Sequence, residues 1–445
     1  MMKRRVFVMC SILSVVVGSA MGGPIVVVCD EFAQAQVDET SAMVAAAQAL
    51  STELFGVDVS AVDDGAILEL HLLARDYYNA DQRLNDGRFK RKWAFANSAE
   101  MQAHVALQPP VPTELLDAAG LPVQTKVQIA REAVYLCIYR AFPNHGSHPG
   151  WLRDGLAEYM SNESVRRAGY MGGVEEEPWT CGDIIVVRRL FEDQPDFTIA
   201  SILDDVSKDI SSGRIDSVRG LFIGWLREIG AFDDMIGEAR RLGGGSEYKE
   251  NLKRATLDAI SAAGVENPDI AFKAWVGAFE PEWDEVYRSL QTKGNVWMQG
   301  AFNRNNSICW NNEELGERDW VITGSMKIFE GDKTQMNILL GRNDIGYVKV
   351  AVDTEWGATV FHRVFPVEKN KRSKWIRLGN KEIKANETNK WIDFKISKRR
   401  NRLMVKIDKQ RPIRIELGDI DVTGRWGLGV QNKSAGLWRD VKVER

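Results

Sequence analysis

Three groups of side chains have the types and spacing to do chemistry. The first lies in residues 127–159, where a permanent cation, Arg131, sits beside a carboxylate, Glu132, and one helical turn from a phenol, Tyr135. A second predicted helix adds Asp154 and Glu158. Arginine cannot realistically lose its proton, so the chemistry open to Arg131 is charge pairing. The second group is acidic: Glu313, Glu314, Glu317 and Asp319. Glycosidic cleavage needs two carboxylates at a set separation. This spacing does not match the alternating Glu-x-Asp-x-x-Glu strand of jelly-roll glycanases, so the group reads as a solvated acidic loop. The third group is basic, in the runs 369–374 and 398–402, with Lys371, Arg372, Lys374, Lys398, Arg399 and Arg400 as candidate binding residues. Such runs suit an anionic polymer, docking against an acidic neighbour, or simple solvation.

Residues 127–159 resemble the core of the gluzincin metallopeptidases, particularly exported peptidase-MA-like proteins. That family carries H-E-x-x-H on one helix and an acidic third ligand on the next, in a W-L-x-E-G-x-x-x-Y context. Two imidazoles at i and i+4 share a helix face and hold zinc, while the glutamate serves as general base. Aligned on that pattern, Arg131 and Tyr135 take the two histidine positions and Glu132 is the glutamate. Asp154 falls at the third ligand and Glu158 at the acid that orients a histidine. The resemblance thus implies the fold but a degenerate site, with no metal and no cofactor: a pseudopeptidase. A carboxylate site without its metal is costly unless compensated. Arg131 is therefore expected to pair with Asp154, Glu132 or both. His145 and His148 form an H-x-x-H between the helices and read as a solvated loop, whereas His71 and His104 fall on strand-like segments as packing or edge residues.

Residues 320–445 resemble the concanavalin A-like jelly-roll superfamily, in the form of laminin-G-like and 3-keto-disaccharide hydrolase-type modules. The resemblance rests on WVITGSMKI, YVKVAVD, KWIDFKISKRRNRLMVKID and the ending GRWGLGVQNKSAGLWRDVKVE. It implies a fold more than an activity. Most tryptophans in this half (Trp297, Trp310, Trp320, Trp356, Trp375, Trp391, Trp426 and Trp438) should be core, and one or two left exposed would make a sugar-stacking platform.

The elements that must position these groups follow from periodicity. Short apolar runs at 24–30, 66–74 and 103–107 predict strands, and 41–55 predicts a helix. From 123 to about 287 apolar residues recur at helical spacing, with helices expected at 123–141, 151–165, 181–192, 199–207, 215–229, 232–241, 248–263 and 270–278. After residue 292 the texture turns to short alternating runs separated by turns, which predicts a β-sandwich. The expected fold is multidomain: an α+β, mostly helical domain over 24–290, then an all-β concanavalin-like sandwich over 293–445, with the boundary at 291–295.

Composition agrees with globular domains: 445 residues, 44% hydrophobic and 27% charged. The net charge of −4 hides an asymmetry. Residues 293–445 hold 30 Lys+Arg against 19 Asp+Glu, +11, and the residues before them 28 against 43, −15. Residues 1–23 have the basic, apolar and small-residue succession of a secretory signal peptide. The protein is expected to be secreted or periplasmic, with no transmembrane segment after signal cleavage. Export permits disulfides, but the cysteine spacings match no zinc or redox motif. Buried or unpaired thiols are the expectation, with a Cys137–Cys181 bridge as the alternative.

Taken together these readings describe an exported, non-catalytic binding or scaffold protein. An inactivated zinc-peptidase fold precedes a glycan- or polymer-binding sandwich. The partners would be peptide or an anionic polysaccharide, not nucleic acid. The alternative is an active hydrolase, through a non-standard metal site or through the sandwich.

Overall fold

The computed structural model describes residues 25–28, 34–56, 69–73, 94–97, 101–106, 121, 123–142, 144–169, 181–205, 212–243, 245–281, 283–284, 289–291, 296–300, 306–328, 335–353, 357–366, 372–381, 390–431 and 435–445. The signal-like residues 1–23, Cys29, Trp356 and Lys371 lie outside them.

Strands β1 (Ile25–Val28), β2 (Glu69–Leu73), β3 (Ala94–Asn97) and β4 (Gln102–Ala106) form one sheet in the order β1-β2-β4-β3. The β1–β2 and β2–β4 pairs are parallel and β3 runs antiparallel to β4. His71 and His104 are register partners on β2 and β4. Helices α1 (Gln34–Phe55) and α2 (Val123–Ala141) pack beside this sheet. On α2 the buried Ala130, Ala133, Val134 and Cys137 recur at i, i+3, i+4 and i+7, the spacing of a core-facing stripe. Next come α3 (Gly150–Arg167), α4 (Cys181–Asp193), α5 (Ile199–Leu203), α6 (Ser212–Glu228), α7 (Phe232–Leu242), α8 (Tyr248–Ala262) and α9 (Pro268–Ala278). Helix α9 starts as its sequence dictates: the Asn267 side chain caps Ile270 N and Pro268 stands in the first turn. No described helix is long and apolar enough to cross a membrane.

The C-terminal part is an all-β antiparallel sandwich of two seven-stranded sheets. The first has the order β13-β12-β11-β10-β17-β8-β5 and the second β16-β15-β14-β9-β18-β7-β6. The first sheet contains β5 (Trp283–Asp284), β8 (Asn306–Glu314), β10 (Gln335–Arg342), β11 (Gly346–Asp353), β12 (Gly357–Val364), β13 (Lys374–Lys381) and β17 (Arg425–Gln431). The second contains β6 (Ser289–Gln291), β7 (Val296–Gly300), β9 (Trp320–Ile328), β14 (Trp391–Arg399), β15 (Arg402–Ile407), β16 (Ile413–Glu416) and β18 (Ala435–Glu444). Alternation places Ile338, Val348, Val350, Val360 and Leu428 between the sheets, packed with Ile322, Phe394, Ile396 and Leu437.

The sheets take in chain that precedes 291–295: β5 pairs with β8, and β6 with β7. These strands have two and three residues, too few to show an alternation. Cys137 is a buried free thiol, so a Cys137–Cys181 bridge is not formed. Trp310, Trp320, Trp426 and Trp438 are buried, whereas Trp375 keeps 44% of its surface exposed.

Candidate functional site

The residues of the peptidase-like motif come together where α2, α3 and α6 cross. Helix α3 begins where Asp205 accepts hydrogen bonds from the backbone N–H groups of Gly150 and Trp151, both at 2.8 Å. A carboxylate there satisfies free donors and complements the helix dipole. Helices α3 and α6 approach closely through glycines. A Cβ on Gly155 would lie 2.9 Å from the Arg219 carbonyl, and one on Gly220 would lie 2.8 Å from Glu158 Cγ.

That approach lets Arg219 reach across. It donates to Asp154 Oδ2 at 3.1 Å and to Asp205 Oδ1 at 3.0 Å. The other Asp154 oxygen accepts from Tyr135 Oη at 3.2 Å and Arg153 Nε at 2.9 Å. Arg131 lies 3.0 Å from Glu158 Oε2 and 3.2 Å from Asp216 Oδ2, and Asp216 is also 3.9 Å from Arg219. Burial works against the Arg131 charge, yet Glu158, Tyr135 and Asp216 raise its pKa well above the ordinary guanidinium value. Burial pushes Glu158 up to about 7, opposed by Arg131 and reinforced by Asp183 and Asp216. Burial likewise raises the Tyr135 phenol.

The expected pairing of Arg131 with Asp154 or Glu132 is therefore corrected. Compensation by a guanidinium occurs, but its partners are Glu158 and Asp216. Asp154 is engaged by Arg219, a residue from a helix 65 positions further on. Neighbours at i and i+1 do not share a helix face, and buried Glu132 accepts from Gln128 Nε2 at 2.6 Å instead.

This set does not fit a zinc ion. The two positions one turn apart offer a guanidinium, which has no lone pair to give, and a half-buried phenol whose proton is held tightly. Both Asp154 oxygens already accept from protein donors. Among the described residues no group of three or more His, Cys, Asp or Glu side chains is placed to hold a metal.

The loop histidines also differ from expectation. His148 is buried, its Nδ1 2.6 Å from Tyr248 Oη and its ring edge-on to Phe142 at 5.0 Å. Burial lowers its pKa to about 4. His145 is half-buried and packs on the Tyr139 ring at 4.4 Å. The His148 ring therefore fills space rather than facing water, while His145 is only partly shielded.

In the sandwich the structure separates the predicted basic runs. Arg372 and Lys374 are exposed at the start of β13 in the first sheet. Lys398, Arg399 and Arg400 sit at the β14–β15 hairpin of the second, where Lys398 Nζ donates to the Glu317 carbonyl at 2.5 Å and Arg400 N to Asp319 Oδ1 at 2.7 Å. The Lys398 ammonium is thus engaged by the acidic loop, whereas Arg400 is tied to it through its backbone N–H. Glu313, Glu314, Glu317 and Asp319 are all exposed.

A different cluster stands on the outer face of the first sheet. Val348, Val350 and Val352 of β11 point into the core, so Tyr347 and Lys349 point outward. Register sets Lys349 opposite Leu339 and Phe361, and Tyr347 opposite Arg363, which in turn pairs with Trp375. Lys349 Nζ lies 4.5 Å from the Trp375 ring centroid and 5.3 Å from that of Phe361. Arg363 lies 5.3 Å from Trp375 and donates to Tyr347 Oη at 2.9 Å. Tyr347 stacks edge-on to Trp310 at 5.1 Å, and Arg342 covers Trp310 at 5.2 Å. Each cation comes from a separate strand, so no run marks the cluster. The one local signal is the alternation in YVKVAVD, which sets Tyr347 and Lys349 apart from the valines.

No protein-family model matches the chain, and no curated protein matches it. Solved structures similar to it include carbohydrate-binding β-sandwich modules, which cover the C-terminal sheets. The carbohydrate-binding module CBM66 from Bacillus subtilis is 14% identical, covering 37% of this chain and 96% of its own, with a TM-score of 0.29. The metal-free Emp46p carbohydrate recognition domain is 9% identical over 36% and 87%, at 0.30. The polysaccharide lyase family 18 protein aly-SJ02 is 11% identical over 36% and 93%, at 0.26.

Proposed function

We propose that this protein binds carbohydrate through the outer face of the first sandwich sheet, and that its helical half is a zinc-peptidase fold without turnover. The observation that carries the first part is Trp375, a large aromatic side chain with 44% of its surface in water. It stands against Tyr347 and Phe361 with ring centroids 5.9 and 6.1 Å away. An exposed indole held rigidly by other rings offers a flat apolar surface, the complement of the C–H face of a sugar ring. The second part rests on the donor set described above, in which Arg131 and Tyr135 occupy the positions that would ligate zinc. Export past the cytoplasmic membrane belongs to this reading, since it would bring the sandwich to extracellular polysaccharide.

Affinity electrophoresis of the full chain against soluble polysaccharides tests the binding half. Retardation that disappears in Trp375→Ala, with the thermal midpoint unchanged, is the expected result. Retardation that survives the substitution would move the site elsewhere. Zinc calorimetry and casein turnover with and without EDTA test the other half. Stoichiometric tight zinc, or hydrolysis that EDTA stops, would overturn it.

A further inference from the structure

Buried cations normally have a carboxylate partner. Lys349 is only 7% exposed, and its strongest polar contacts are the side-chain amide oxygens of Gln335 and Gln431, each at 3.4 Å. Arg363 has a buried Nε with no hydrogen-bond partner, as has Nη1 of Arg342. None of the three is ion-paired with a described carboxylate. Their positive charge is met by ring faces: Trp375 and Phe361 for Lys349, Tyr347, Phe365 and Trp375 for Arg363, and Trp310 for Arg342. Two cations on one indole repel each other, a cost that an anion between them would relieve.

Resting on the carbohydrate reading, we infer that the ligand is an acidic polysaccharide, with a sugar carboxylate seated between Lys349 and Arg363 while the ring lies on Trp375. The charge-bearing atoms supply orientation and the aromatic surface supplies contact area. An acidic peptide would meet the same cations but has no flat C–H face to present to the indole. Arg363 Nη2 makes only a long contact, 3.4 Å to Ser373 Oγ, which a carboxylate oxygen would replace. The overall +11 of residues 293–445 favours approach of a polyanion to this half of the chain.

The test uses the full chain and three soluble probes: polygalacturonate, the same polymer after carboxyl reduction, and poly-L-glutamate. Polygalacturonate is expected to bind, more weakly as salt rises, and at least about ten-fold more tightly than either other probe. Lys349→Met and Arg363→Met should each weaken binding about ten-fold, whereas Lys406→Met on the second sheet should leave it unchanged. Lys349→Met removes a buried unpaired charge, so the fold should tolerate it, and a thermal melt of each variant checks this. Equal binding of the carboxyl-reduced polymer would overturn the acidic assignment and leave carbohydrate binding standing. Equal binding of poly-L-glutamate would reduce the face to a general polyanion surface and overturn it as well. Failure of both sugar polymers together with neutral glucans would remove the carbohydrate reading itself.

Discussion

Arg131 of α2 and Glu158 of α3 form an ion pair of 3.0 Å. Asp216 from a third helix joins them at 3.2 Å, so one guanidinium holds α2, α3 and α6. Breaking such a pair on one side leaves a carboxylate without compensation. Arg131→Met is expected to cost about 3 kcal/mol of stability by urea unfolding. Adding Glu158→Gln should restore part of the loss. A single variant within about 0.5 kcal/mol of the parent would show that the cation is structurally idle.

Ligand binding at Lys349 should depend on pH. Burial, then Arg363, lower its pKa to about 8 from an ordinary 10.5. Among the described residues the ionisable groups facing it are Arg363 and, through Arg363, the Tyr347 phenol, beside Gln335, Gln431, Phe361 and Trp375. Below the folded value the amine is charged, so uronate binding should fall from pH 7 to 9. Stability moves oppositely. Between the folded value and 10.5 the unfolded chain holds more protons, so the lysine's burial penalty fades as pH rises. A binding profile flat from pH 7 to 9, or unaltered in Lys349→Met, would contradict this.

Gly427 pairs with Leu339 and Trp310 in the first sheet. A Cβ there would stand 2.4 Å from the Cys309 carbonyl and 2.9 Å from Trp310 Cε3. Because the nearer obstacle is backbone, Gly427→Ala should cost about 2 kcal/mol or more. It should also displace Trp310, read as a change in tryptophan fluorescence. A neutral effect on both would mean that the two strands separate freely.

Cys137 is expected to resist alkylation. Burial pushes its thiol up to about 12, so little thiolate exists at pH 8. Iodoacetamide should label it only after urea unfolding, as read by site-resolved mass spectrometry. Rapid native labelling would show that α2 opens readily.

Long periodic elements were legible in the residues, and pairings between distant segments were not. Helix α2 has the ends its apolar spacing predicts, Val123–Ala141. β3, β5, β6 and β7 were missed because runs of two to five residues carry no usable period, and β8 because Asn306, Ser307, Asn311 and Asn312 surround its few apolar residues. At the candidate sites, Arg131, Glu132, Tyr135, Asp154 and Glu158 could be read because one local motif holds them. Arg219 and Asp216 arrive from a helix further along, and Lys349, Arg363 and Trp375 meet through register across three strands. Neither arrangement leaves a trace in neighbouring positions.

The short strands β5 and β6 each form the outermost strand of one sheet, and Trp283 packs edge-on to Trp426 at 5.2 Å. Just before them, Arg188 of α4 donates to the carbonyls of Val276, Gly277 and Phe279. The passage from helices to sandwich is thus a stitched seam and no free tether. A fragment begun at Lys293 would bare a raw margin on both sheets, inviting strand-to-strand association of separate molecules.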